Sequence, residues 1–102
     1  MENVINVAEL DQSLKQSSDQ VFLIDLAKKE DFARNHIPRA VNIPAEDLRN
    51  RFAEIPKNKN IVVACRTGLT KSDNALRQLR ESGFTNARKL SGGTAGWFQS
   101  FK

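Results

Sequence analysis

The chain holds little that could staple or anchor it. A single cysteine among 102 residues, Cys65, cannot form an internal disulfide, so the fold must rest on packing, and the sequence fits a reducing compartment. With only one histidine beside that cysteine, a structural zinc site lacks ligands. No apolar run approaches the roughly 20 residues that cross a bilayer. Met1 to Leu10 has neither a basic start nor an apolar stretch, so no signal peptide is expected and the cytoplasm is the default location. Repeats and low-complexity segments are absent too. The formal charge is +4, yet the cations form no run of five or more, which argues against nucleic acid as a partner. A diffuse positive field of this kind favours small anions instead. At this length one domain, residues 1–102, with one modest core is expected. Its 39% hydrophobic and 27% charged residues are ordinary for a globular chain.

What is present centres on residues 61–72. Ile61 to Ala64 is a short β-branched run without alternation, as in a strand covered on both faces of a parallel sheet. It runs into Cys65 and a polar turn, and a helix follows from Ser72, with Leu76 and Leu79 on one face and Gly83 placed to end it in the left-handed conformation. Cys65 is thus expected at a strand's carboxyl end, facing a helix N-terminus. The thiolate is the nucleophilic form of cysteine, and a free thiol with a pKa of about 8.5 is mostly protonated at neutral pH. Loop amides, the helix dipole, and the cations Arg66 and Lys71 are expected to depress that value. The residues alone leave a second reading open, in which Cys65 is a small buried apolar side chain that ends a strand.

Around this centre the chain alternates strands and helices. Val4-Ile5-Asn6 reads as an edge strand, and Asn6 with Glu9 forms a capping-box signal for a helix from Val7 carrying Val7, Leu10 and Leu14 inward. Val21 to Ile24 reads as a buried strand ending at Asp25, which falls at the same sheet edge as Cys65, either to order its loop or to cap the next turn. Lys28 to Asn35 forms a short helix anchored by Phe32 and stopped before Pro38. Ala40 to Ile43 is a short strand, and Glu46 to Phe52 a helical turn with Leu48 and Phe52 inward. One more strand lies within Phe84 to Leu90, after which Gly92-Gly93 lets the backbone approach the cysteine loop. Trp97, Phe98 and Phe101 fall on a last helix, with Trp97 as a core anchor. His36 reads as structural.

Cys65-Arg66-Thr67-Gly68-Leu69-Thr70 resembles the active-site loop of the rhodanese family of sulfurtransferases, Cys-Arg-x-Gly-x-Thr or Arg. Three further segments agree in order: Val21 to Asp25, Asn35 to Pro44 (similar to the family's Gly-His-Ile-Pro-x-Ala-x-Asn-Ile-Pro), and Leu90 to Trp97 with its Gly-Gly-x-x-x-Trp. The chain departs at Ala27, where many relatives carry arginine, and at Asn35 and Arg39, where they carry glycine. The resemblance implies a rhodanese-like α/β fold, a five-stranded parallel sheet flanked by helices on both sides. It also implies that Cys65 is catalytic and that Arg66, Thr67, Gly68, Leu69, Thr70 and Lys71 form the substrate-binding loop, with no metal and no organic cofactor. The partners expected are a small anionic sulfur donor such as thiosulfate and a thiol or cyanide acceptor, with a protein donor or acceptor also open.

Two other classes compete. A cysteine-dependent phosphatase or arsenate reductase also cradles an anion over a thiolate, but its loop ends in arginine six positions after the cysteine, usually with histidine just before it. Here those positions hold Lys71 and Ala64, and lysine lacks the planar fork that grips phosphate. A persulfide relay or a non-catalytic rhodanese-shaped binding module is the other; an inert module is expected to lose the cysteine.

Overall fold

A computed structural model describes residues 3–101, so the reading of the extreme N-terminus at Met1 and Glu2 lies outside it, as does Lys102. Five strands form one parallel sheet: β1 (Val4–Ile5), β2 (Val21–Asp25), β3 (Val41–Asn42), β4 (Asn60–Ala64) and β5 (Ala87–Leu90), in the order β1-β5-β4-β2-β3. Four α-helices intervene: α1 (Val7–Gln16), α2 (Lys29–Arg34), α3 (Thr70–Glu81) and α4 (Gly93–Ser100). A 3₁₀ segment spans Ala45–Glu54, kinked at Arg51, and a single 3₁₀ turn covers Ser18–Gln20.

The core is double rather than single, because β2 and β4 bury both faces. On one face Ile24, Ile61 and Val63 pack with Leu48 of the 3₁₀ segment and with Ala75, Leu76 and Leu79 of α3. On the other, Leu23, Val62 and Ala64 pack with Leu10 of α1 and Trp97 of α4. Continuous apolar strands are what a doubly covered parallel sheet requires. Trp97 is a core anchor as expected, whereas Phe101 lies beyond α4 as its exposed C-cap residue.

Local signals act where the sequence places them. Asn6 caps α1 by accepting from Glu9 N–H at 2.8 Å, while the Glu9 carboxylate accepts from Asn6 N–H at 3.1 Å. α3 ends in a Schellman motif: Gly83 N–H donates to Arg80 O, Phe84 N–H donates to Leu79 O, and Gly83 takes φ 95°. α3 itself starts at Thr70, two residues earlier than expected. Phe32 is only half-buried; it stacks on His36 at 3.9 Å, and its carbonyl oxygen is 2.8 Å from His36 Nδ1. His36 is exposed and lies outside the cavity described below.

The order of strands positions the site. β2 and β4 are neighbours, with Asp25 opposite Ala64, yet the chain leaves β2 toward β3 on one side and β4 toward β5 on the other. The connections diverge there, and in open α/β sheets the crevice at such a switch point takes ligands.

The Ile37-Pro38-Arg39-Ala40 turn is strained at one residue. Ala40 N–H donates to Ile37 O at 3.1 Å, and Arg39 takes φ 73°, the left-handed conformation that the third residue of a type II turn needs and glycine supplies without steric cost. A non-glycine residue there costs roughly 1–2 kcal/mol, offset in part by the greater chain entropy of glycine. Arg39→Gly is therefore expected to stabilise the protein by up to about 1 kcal/mol, raising the thermal midpoint by a few degrees. A midpoint that stays or falls in a calorimetric scan would contradict the strain.

Candidate active site

Cys65 follows β4 and its side chain turns into the wall beneath α3. It is only 5% exposed, buried at the foot of its turn. Ser72 Oγ donates to Sγ at 3.0 Å and Gly68 N–H donates to it at 3.2 Å. The amides of Leu69 and Ser72 also bear on the sulfur. Helix α3 has Leu69 as its N-cap residue, with no side-chain acceptor, so the sulfur lies at an uncapped helix start, held by the hydroxyl of the third helical residue, Ser72.

These contacts favour the charged form of the sulfur. Burial pushes the Cys65 pKa up, but the Ser72 hydroxyl and the amides of Gly68, Ser72 and Leu69 outweigh it, and the value falls below that of an ordinary thiol. Arg66 and Lys71, expected to share this work, are exposed and are not among the groups that lower it. Neutral dipoles in a dry site replace them. Ser72, itself fully buried, is the residue that sequence reasoning missed.

The loop holds this shape because its outer side is tied to the start of α4. Thr94 N–H donates to Cys65 O at 2.9 Å and Ala95 N–H to Arg66 O at 3.0 Å. The approach requires glycine: a Cβ on Gly93 would collide with the carbonyls of Cys65 and Arg66, and one on Gly68 would lie 2.8 Å from Leu90 O. Gly68 and Gly93 also take φ 77° and 63°.

Above the sulfur opens a cavity of about 720 Å³. Arg66, Thr67, Leu69, Thr70 and Lys71 line it along with Cys65, while Gly68 contributes its amide from below. Lys28 and Arg34 add charge from around α2, and Phe98, rather than Trp97, supplies an aromatic wall. Asp25 lies in the lining, 3% exposed, and accepts Ala27 N–H at 2.9 Å, so it caps its own turn, the plainer of its two expected roles. Burial raises its pKa, opposed by the Ala27 amide and the charge of His36. Among the described residues no group of three or more His, Cys, Asp or Glu is placed to hold a metal, and no helix is long and apolar enough to cross a membrane.

Comparison with known proteins agrees with this geometry. The rhodanese-like domain family matches residues 6–100, and the chain belongs to that family. A sulfurtransferase of Allochromatium vinosum is 33% identical over 95% of this chain and 89% of its own length. A thiosulfate sulfurtransferase of Shewanella oneidensis is 29% identical over 94% and 92%. The crystal structure of a rhodanese-related protein from Thermoplasma volcanium superposes with a TM-score of 0.86 over 98% of this chain and 94% of that one, at 24% identity, which shows the common fold.

Ser72→Ala removes one hydrogen bond to a charged sulfur, of the kind worth about 1.5–3 kcal/mol. The bend in the alkylation rate against pH should move upward by about one unit or more, with α3 intact by circular dichroism. An unmoved bend would mean that the hydroxyl does not stabilise the thiolate.

Proposed function

We propose that the protein is a sulfurtransferase in which Cys65 carries the sulfur. The observation behind this is a buried sulfur, held toward its charged form by Ser72 and the loop amides, at the base of a cavity rimmed by Arg66, Lys71, Lys28 and Arg34. The thiolate attacks the outer, sulfane sulfur of a donor such as thiosulfate. A Cys65–S bond forms as the donor's S–S bond breaks, and sulfite leaves with the electron pair. The loop amides that steadied the thiolate are placed to steady the persulfide anion too. An acceptor, cyanide or a thiolate, then attacks the terminal sulfur and restores Cys65. Arg66 presents several donors to the departing oxyanion, while Lys71 contributes a single point charge. Thr67, Leu69 and Thr70 shape the wall.

Names of the relatives support sulfur transfer as the class of reaction. Thiosulfate occupies only a small part of about 720 Å³, so the cavity also suits a donor or acceptor carried on a larger thiol or on a protein. No step needs a metal or organic cofactor.

Intact mass spectrometry tests the cycle directly. Incubation with thiosulfate should add one sulfur atom, cyanide should remove it as thiocyanate, and Cys65→Ser should show neither change while keeping its fold. Retained activity in Cys65→Ser would end the proposal. Arg66→Ala should raise KM for thiosulfate by about tenfold or more, the loss expected for a charge-assisted hydrogen bond, and Lys71→Ala by clearly less. Equal losses would remove Arg66 from its assigned role.

A further inference from the structure

A loop that turns its amides inward must turn its carbonyls outward, and buried polar backbone needs partners. The carbonyls of Cys65 and Arg66 are taken by α4, and that of Leu69 by Asp73 N–H at 2.9 Å. The Gly68 carbonyl is instead taken by a side chain. Lys89 Nζ, on β5, donates to Gly68 O at 3.0 Å and pairs with Asp73 Oδ1 at 2.6 Å. Its side chain is 18% exposed, that of Asp73 59%. The two contacts brace the loop and the first turn of α3 against the sheet.

The geometry of the peptide bond gives this brace a consequence for the sulfur. Gly68 C=O and Leu69 N–H belong to one planar trans unit, in which the two groups point in opposite directions. Next to a glycine, whose backbone moves freely among conformations, that unit needs something to stop it turning. We propose that Lys89 is a positioning residue for the Cys65 thiolate: by holding the Gly68 carbonyl outward it fixes Gly68, whose own amide donates to Sγ at 3.2 Å, and with it the orientation of the adjoining Leu69 amide. This rests on Cys65 being the nucleophile, as proposed above. Lys89 touches neither the cavity nor the reacting atoms and acts through the backbone alone. The charged groups that do face the cavity are Asp25 of β2, Lys28, Asp31 and Arg34 around α2, and Arg66 and Lys71 of the loop; α4 adds Thr94, Ala95 and Phe98, none of them charged.

The test follows iodoacetamide alkylation of Cys65 against pH, which requires no sulfur donor. A failure of the sulfur-transfer cycle would show in the mass experiment and leave this measurement intact. Lys89→Gln should move the bend upward by about half a unit, roughly a threefold loss of thiolate below it, with unchanged circular dichroism. Lys89→Arg, which keeps a long cationic donor, should restore most of the shift. The shift should persist near 1 M potassium chloride, where screening acts within about 3 Å, because it arises from amide orientation rather than from the charge of Lys89. Asp73→Asn should leave the bend in place, since the Gly68 contact survives it. Should Lys89→Gln fail to fold, Lys89→Met, which keeps the packing of the stem, takes its place. A folded variant with an unmoved bend, a shift abolished by salt, or an equal shift in Asp73→Asn would each overturn the proposal.

Discussion

Everything around Cys65 answers to one constraint: a sulfur that is almost out of contact with water must have its charge met by hydrogen bonds. An isolated buried anion would simply take up a proton. The donors that oppose this are the amides of Gly68, Leu69 and Ser72 together with the Ser72 hydroxyl. A short loop can aim several amides at one point only by sending its carbonyls the other way, and a domain of this size must then find donors for those carbonyls. Two come from the first turn of α4 and one from Lys89. The sulfur's surroundings are therefore built in two layers, with the outer one supplied by chain that follows the cysteine loop by more than 20 residues.

That second layer explains the glycines. Gly93 and Gly68 are needed less for flexibility than for absence of bulk, since each has no room for a Cβ against the backbone of the other segment. It also links the site to the fold. β5 lies beside β4, so the chain leaving β5 returns over the carboxyl end of β4, directly onto the loop that β4 launches. Removing the order β5-β4-β2 would separate the amides from the groups that hold them in place.

The parts of this arrangement that sequence made legible are those written in neighbouring residues. The apolar runs at Val21–Ile24 and Ile61–Ala64, the Asn6–Glu9 box and Gly83 each encode their structure within a few positions, and each formed as its chemistry requires. Residues that act across the fold were not legible. Ser72 looked like one more polar helix-start residue, because only the curl of the loop brings it back to a cysteine seven positions earlier. Nothing in the residues beside Lys89 marks it out, because its partner Gly68 lies 21 residues away. Charge misled in the opposite sense: Arg66 and Lys71 stand next to the cysteine in sequence, yet their exposed groups work through a high dielectric, where a charge has little reach compared with a hydrogen bond in a dry site. The helical pattern of the last segment places Trp97 in the core, as it is, but does not tell that the same helix leaves Phe98 on the cavity.

This division of labour bears on mechanism. Had Arg66 or Lys71 neutralised the sulfur directly, an incoming anion would have had to compete with the thiolate for the same cations, and the nucleophile would have lost its stabilisation as substrate bound. Neutral dipoles avoid that conflict. In the mechanism proposed above, the amides and Ser72 stay with the sulfur throughout, and the exposed cations stay with the anion. Screening by salt reaches the two groups unequally, because exposed charges are shielded within a Debye length while hydrogen bonds in a dry site are not. Capture of the donor should therefore weaken with ionic strength while the intrinsic reactivity of Cys65 does not, so KM and the thiolate pKa become separately adjustable properties of one short loop.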